Sequence, residues 1–273
     1  MSSNPDVMEL VAEMKQRGVA FALATVVRTV AVTAAKAGAK AVIRPDGTIS
    51  GGWIGGGCAR SAVLKAAQEV LADGQPRLIS VQPPEALTEH GVEPGETREG
   101  VRFAKNMCPS RGTMDIFVEP VMPRPGLVIC GSSPVAVALA RLAQIMGYAV
   151  TACAPAAEQD AFAAPDTRIE GYALAMQDPA ERFIIVSTQG KGDEAALRAI
   201  LQVEARYKAF VGSRRKMAAI RAKLLAENFD AAAIDSVKAP AGTDIGAISP
   251  EEIALSILAE VVATRRGTSR GVH

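Results

Sequence analysis

Gly55-Gly56-Gly57-Cys58 is the segment of this chain best suited to chemistry. It separates a stretch of strand formers from a stretch with helical periodicity. Three successive glycines reach positive φ without strain and leave no side chain over the backbone, so consecutive N–H groups can face an anion. Cys58 is expected at the start of the following helix, where the helix dipole favours a thiolate. A thiolate beside such a turn suits a soft metal, a sulfur-containing ligand or a persulfide. The plain alternative is a tight turn whose cysteine only packs. Cys58 is the one candidate metal contact. Cys108, in Asn106-Met107-Cys108-Pro109-Ser110-Arg111-Gly112, is a candidate second thiol for the same pocket, or an ordinary loop cysteine. Cys130 and Cys153 end apolar runs and read as small core fillers. The four cysteines form no C-x-x-C, and His90 and His273 are the only histidines. Zinc sites and Ser-His or Cys-His catalytic pairs therefore have few residues to draw on, and no catalytic residue is assigned.

Further candidate ligand contacts sit at strand-to-helix turns. Gly131-Ser132-Ser133-Pro134-Val135-Ala136 occupies the position of a dinucleotide fingerprint, but reads G-x-S-x-x-A in place of G-x-G-x-x-G. The tight turn survives, while the second glycine, which admits a pyrophosphate, does not. Thr151 to Pro155 holds no acidic residue for a ribose, so NAD is not expected. Gly212-Ser213-Arg214-Arg215-Lys216 opens another helix with three cations in its first turn. They oppose the helix dipole unless an anion sits there; the alternative is a solvated basic turn. Ser187 to Asp193 and Gly242-Thr243-Asp244-Ile245-Gly246 are further strand-end loops of the kind at which ligands collect in open α/β sheets.

The elements that must position these residues follow from periodicity. An amphipathic helix over 6–17 precedes the strand Phe21–Arg28, then a hairpin turning at Pro45-Asp46-Gly47. A helix from Ala59 ends at Asp73-Gly74. Residues 83–112 carry five glutamates and several prolines and glycines, and read as a long structureless loop, a lid or a mobile segment. Pro123-Arg124-Pro125-Gly126 reads as a linker. Beyond it, the apolar runs Leu127–Cys130, Tyr148–Cys153, Phe183–Ser187 and Tyr207–Val211 alternate with helical stretches, which implies a parallel sheet with right-handed crossovers. Ser249-Pro250-Glu251-Glu252 reads as a capping box for the last helix. The expected fold is α/β: a mixed α+β N-terminal module over 1–122 and a Rossmann-like parallel-sheet domain over 123–273. The 273 residues are 49% hydrophobic with a net charge of +1 and 4% aromatic. No basic stripe with stacking rings points to nucleic acid. No apolar run spans a membrane, and no signal peptide is apparent, so the expected location is cytoplasmic.

Taken together, these motifs resemble the XdhC/CoxI family, accessory proteins for the maturation of molybdenum hydroxylases such as xanthine dehydrogenase and carbon monoxide dehydrogenase. The resemblance rests on Ala24 to Thr29, Gly38-Ala39-Lys40, Asp46-Gly47, Ile54 to Cys58 and Phe117 to Pro120 in the first module. In the second it rests on Gly212 to Lys216, Gly242 to Ala247 and Pro250 to Glu260. It implies a chaperone that holds the molybdenum cofactor (molybdopterin or its cytosine dinucleotide form), assists its sulfuration with a cysteine desulfurase and delivers it to an apo molybdenum hydroxylase. Cys58 is then the cofactor-contacting thiol, and the turn at Arg214 suits a phosphate of the cofactor. Gly55, Gly56, Gly57, Cys108, Gly131, Ser132, Ser133, Gly212, Ser213 and Asp244 complete the expected cofactor-binding set. On this reading the protein is a non-catalytic maturation factor and a homodimer. The rival readings are an NAD(P)-dependent oxidoreductase and a cofactor-free docking subunit for sulfurase and target.

Overall fold

A computed structural model describes residues 6–109, 111–174 and 182–267. The chain divides into two compact units, Met1–Pro123 and Arg124–His273.

The first unit is built on a seven-stranded sheet. Its strands are β1 (Phe21–Val30), β2 (Lys40–Ile43), β3 (Ile49–Gly52), β4 (Arg77–Gln82), β5 (Thr97–Arg98), β6 (Val101–Lys105) and β7 (Thr113–Val121), in the order β3-β2-β1-β7-β4-β6-β5. All neighbours are antiparallel except β4 and β6. Alternation along β1 sends Ala22, Ala24 and Val26 to one face and Phe21 and Leu23 to the other. Helix α1 (Val7–Gln16) covers Phe21, Leu23 and Val42 with Val11 and Met14. Helix α2 (Gly57–Asp73) lays Ala59, Val63, Ala66, Ala67 and Val70 over the opposite face and stops at Gly74, a left-handed cap at φ +72°. The hairpin at Pro45-Asp46-Gly47 forms as its turn residues require.

Residues 83–112 are not the structureless loop that their composition suggests. They hold α3 (Pro84–Glu89), β5 and β6, and β6 pairs in parallel with β4 from Leu78↔Val101 to Gln82↔Lys105. Two physical reasons account for the difference. Pro83 and Pro84 occupy the N-cap and first turn of α3, where a missing N–H costs nothing. One charge of β6 is anchored, Arg102, bonded to Glu69 of α2 at 2.5 Å.

The second unit is an all-parallel five-stranded sheet of β8 (Gly126–Cys130), β9 (Ala149–Ala154), β10 (Thr167–Glu170), β11 (Arg182–Val186) and β12 (Tyr207–Phe210). Its order is β10-β9-β8-β11-β12, so the chain winds outward from β8 in one direction and then from β11 in the other. Helices α4 (Pro134–Ile145) and α8 (Pro250–Arg266) pack over Leu127, Ile129, Phe183 and Ile185. Helices α5 (Asp193–Leu201), α6 (Arg214–Ala226) and α7 (Ala231–Asp235) pack over Val128, Cys130, Ile184 and Val186. The capping box at Ser249 and Glu252 forms as the sequence predicts. This is the expected architecture, a mixed module followed by a parallel Rossmann-type sheet. Among the described residues, no helix is long and apolar enough to cross a membrane.

Candidate functional site

Cys58 sits where the β2–β3 hairpin hands over to α2. Gly55 has φ +104°, and a Cβ there would lie 3.3 Å from Met114 Cε. Gly56 is extended at φ −107° and ψ −179°, and Gly57 returns to φ +50°. With Gly56 extended, the turn lacks the alternation of an anion nest. The amides left over are those of the first turn of α2, which has no capping side chain and no acidic residue.

The Cys58 thiol is half-buried, and its Sγ accepts the N–H of Met107 at 3.3 Å. Asn106 holds the segment that makes this contact. Its N–H donates to Gln82 O at 2.6 Å, its Oδ1 accepts from Cys108 N at 3.0 Å and its Nδ2 donates to Gly112 O at 2.6 Å. Replacing Asn106 by Ala removes two side-chain bonds and is expected to cost about 1–2 kcal/mol. It also releases Met107 from the thiol, so alkylation of Cys58 by iodoacetamide, followed by mass spectrometry, should quicken several-fold. An unchanged rate would show that Asn106 does not position the contact.

A cavity of about 600 Å³ opens beside the thiol. Helix α2 presents Cys58, Ser61 and Lys65 to it, and β6 presents Arg102, Phe103 and Lys105. Arg102 is engaged with Glu69. Lys65 and Lys105 are exposed, and neither forms an ion pair among the described residues. The wall thus combines a thiol, two unneutralised ammonium groups and an aromatic ring. Sequence reasoning missed this cationic wall. One signal was available, since Lys65 lies seven residues beyond Cys58 and so on the same face of the helix. The other two cations lie on β6, within the segment read as a loop. Cys108 is exposed, one residue beyond the contact, and does not line the cavity.

In the second unit the candidate residues fall into two groups at the carboxyl ends of the strands. Gly131, Ser132 and Ser133 lie at the end of β8, where the sheet order reverses. Ser133 caps α4 by accepting from Ala136 N at 3.2 Å, and its Oγ lies 2.7 Å from Ser187 Oγ. Ser132 Oγ donates to Glu158. Glu158 belongs to a short 3-10 helix, Ala156–Ala161, that follows β9, so a search for an acidic residue that ends at Pro155 stops just short of it.

The second group is brought together by a cavity of about 600 Å³ lined by Gly212, Ser213, Arg214 and Asp244. Glu260 of α8 supports its wall, accepting from Gly242 N at 2.8 Å, from Tyr207 Oη at 2.5 Å and from Lys238 Nζ. Burial pushes the Tyr207 hydroxyl up to about 12.

Cys130 and Cys153 are fully buried and face each other in register across β8 and β9. A hydrogen bond to the Cys153 thiol, together with burial, pushes the Cys130 thiol well above its ordinary value. Protonated and apolar, it serves as core. Among the described residues no three His, Cys, Asp or Glu side chains converge on a metal-sized site. A metal at Cys58 would therefore have to arrive with ligands of its own.

Comparison with known proteins agrees with this layout. The model of the XdhC and CoxI family matches residues 14–82, and that of the XdhC Rossmann domain matches residues 127–261. The uncharacterised protein YqeB of Escherichia coli K12 is 26% identical over 269 residues, covering 96% of this chain and 46% of that protein. A Bacillus subtilis protein, named as a probable xanthine dehydrogenase subunit, is 26% identical over 165 residues, covering 56% of this chain and 47% of that one. The chain thus spans about half the length of the curated relatives it matches. A Bacillus halodurans chain, whose crystal structure is described as that of a xanthine dehydrogenase, aligns over 98% of this chain and 97% of its own. It does so at 19% identity and a TM-score of 0.45. On the two family models, which together take in both units, this chain belongs to the XdhC/CoxI family.

Proposed function

We propose that this protein binds the molybdenum cofactor and hands it to an apo molybdenum hydroxylase, the group of enzymes with whose maturation its family is associated. One observation carries the reading. The Cys58 thiol stands at the edge of a cavity of about 600 Å³ that also holds Lys65, Phe103 and Lys105. The cofactor combines a sulfur-ligated metal, a flat pterin and a phosphate. A soft donor, an aromatic wall and two ammonium groups are the matching partners, so the residues present fit it.

When bound, the cofactor supplies the metal chemistry that the receiving enzyme needs. The rest falls to this chain. Cys58 offers a thiol whose sulfur is already oriented by the Met107 N–H, so little ordering is needed on binding. Lys65 and Lys105 attract the phosphate, while Phe103, Ala62 and Ala104 shield the ring system from water. The Gly55–Gly57 turn delivers Cys58 to this position. Because one thiol is a sparse ligand set, the hold is reversible, as a delivery protein requires. Sulfuration of the held cofactor by a cysteine desulfurase belongs to the same proposal, as do the homodimer and the cytoplasmic location.

Anaerobic titration of purified molybdenum cofactor into the wild-type protein and Cys58→Ser is the test. Stoichiometric binding by the wild type is expected, weakened by about 100-fold in the variant, which corresponds to the loss of one strong soft-ligand contact. No binding by folded wild-type protein would leave a docking subunit that never holds cofactor. Equal binding by the variant would move the site away from Cys58.

A further inference from the structure

We propose that the second unit carries a ribonucleotide site of its own, in the cavity formed by the β12–α6 turn and the segment 238–247. This goes beyond the role of Cys58 and does not depend on it. The usual place for a nucleotide in such a sheet is the turn after the first strand, and here that turn is closed. A Cβ at Gly131 would lie 2.4 Å from Ser187 O. Ser133 fills the place of the second glycine and is buried against Ser187. Pro134 removes one N–H, and Ser132 is tied to Glu158.

The cavity at the end of β12 offers what the closed turn does not. Arg214 lines it, is exposed and has no acidic partner among the described residues. Lys238, on the facing wall, is neutralised by Glu260, so Arg214 is the available cation. Asp244 accepts the N–H of Gly246 through Oδ1 at 3.2 Å, which leaves its second carboxylate oxygen for a hydroxyl. Pro240, Ile245 and Ile253 form an apolar patch on the same wall, beside Thr243 and Ser256, with Ile245 53% exposed. An inorganic anion would use only Arg214, and an acyl chain would use only the isoleucines. A phosphate, a ribose and a flat base in one molecule use all three surfaces, within a volume ordinary for small-ligand sites. The three bonds that Glu260 accepts build this wall before any ligand arrives.

Free ribonucleotides and the nucleotide end of a dinucleotide cofactor share this chemistry. Calorimetric titration of CDP, ADP, GDP and inorganic pyrophosphate into the full chain tests it. At least one nucleoside diphosphate should bind in the micromolar range and more tightly than pyrophosphate. Arg214→Glu should weaken it about tenfold or more and Ile245→Asp about fivefold. Both residues are exposed, so unchanged melting temperatures check the fold. No nucleotide binding, pyrophosphate binding as tight as any nucleotide, or indifference to both substitutions would overturn the proposal. Displacement of the bound nucleotide by the dinucleotide form of the cofactor alone would support the site and assign it to the cofactor. Displacement by neither the dinucleotide form nor molybdopterin itself would support it as a site for free nucleotide. Equal displacement by both forms would overturn nucleotide recognition.

Discussion

Gly131→Ala should lower the stability of the protein by about 3–5 kcal/mol, a fall in melting temperature on the order of 10 °C. Two effects add. Gly131 has φ +109°, a conformation that an L-residue adopts only under strain. The added Cβ would lie 2.4 Å from Ser187 O, 2.6 Å from Ser187 C and 2.7 Å from Thr188 Cα, all of them backbone atoms. That backbone cannot step aside. Gly131 N–H donates to Cys153 O at 2.8 Å, and Ser187 N–H donates to Cys130 O at 2.7 Å. The crowded atoms therefore belong to the ladders of the central strands β8, β9 and β11. Gly126→Ala, at the start of the same β8, is the control. It has open space and no positive φ, so its effect should stay within about 0.5 kcal/mol. Urea melts followed by circular dichroism separate the two, and equal midpoints for both variants would show that the ladder yields after all.

The same contrast explains which parts of the molecule could be read from residue order. Strands β8 and β11 are buried on both faces along nearly their whole length and β9 and β12 in their second halves, and such strands announce themselves as apolar runs. Strand β10, Thr167–Glu170, is an edge with only Ile169 half-buried. Four residues of that composition carry no periodicity, and the strand was not expected. Strand β6 failed for a related reason: its alternation of Val101, Arg102, Phe103, Ala104 and Lys105 is half-buried at every position but the last. Its Arg102 is neutralised by Glu69 of α2, which nothing local can reveal. Position 58 was legible because glycines at odd φ leave a mark in composition. Its cationic surroundings were not, since Lys65 reads as a solvated helix position and Arg102 and Lys105 as loop charge. In the second unit the 212–214 turn and Asp244 were each visible as a strand-end loop. Their convergence on one cavity depends on Glu260, eighteen residues beyond Gly242, reaching back to hold the segment 238–242.

Asp193→Asn should cost about 2–4 kcal/mol of stability. Asp193 opens α5 behind Gly192, and its side chain is 7% exposed. It accepts from Thr188 Oγ1 and from Gly190 N at 3.1 Å, and forms an ion pair with Lys216. Burial alone would raise its pKa, but the Lys216 ammonium, the Thr188 hydroxyl and the Gly190 N–H outweigh it and hold the carboxyl below its ordinary 3.8. An asparagine keeps the shape and one acceptor but cannot pair with Lys216, and it loses the favourable anion in the first turn of α5. The sign of the pH dependence follows. A carboxyl with a depressed folded-state pKa contributes stability that is complete above its unfolded value near 3.8 and is lost as the pH falls through the folded value. The gap between wild type and Asp193→Asn, measured by urea melts, should therefore be constant from neutral pH to about 5 and narrow below about 4. A gap that stays the same down to pH 3 would mean that the carboxylate is not the stabilising species. In that case the Ser187–Asp193 loop would be held by packing, with Tyr172 against Gly192 as the contact to remove next.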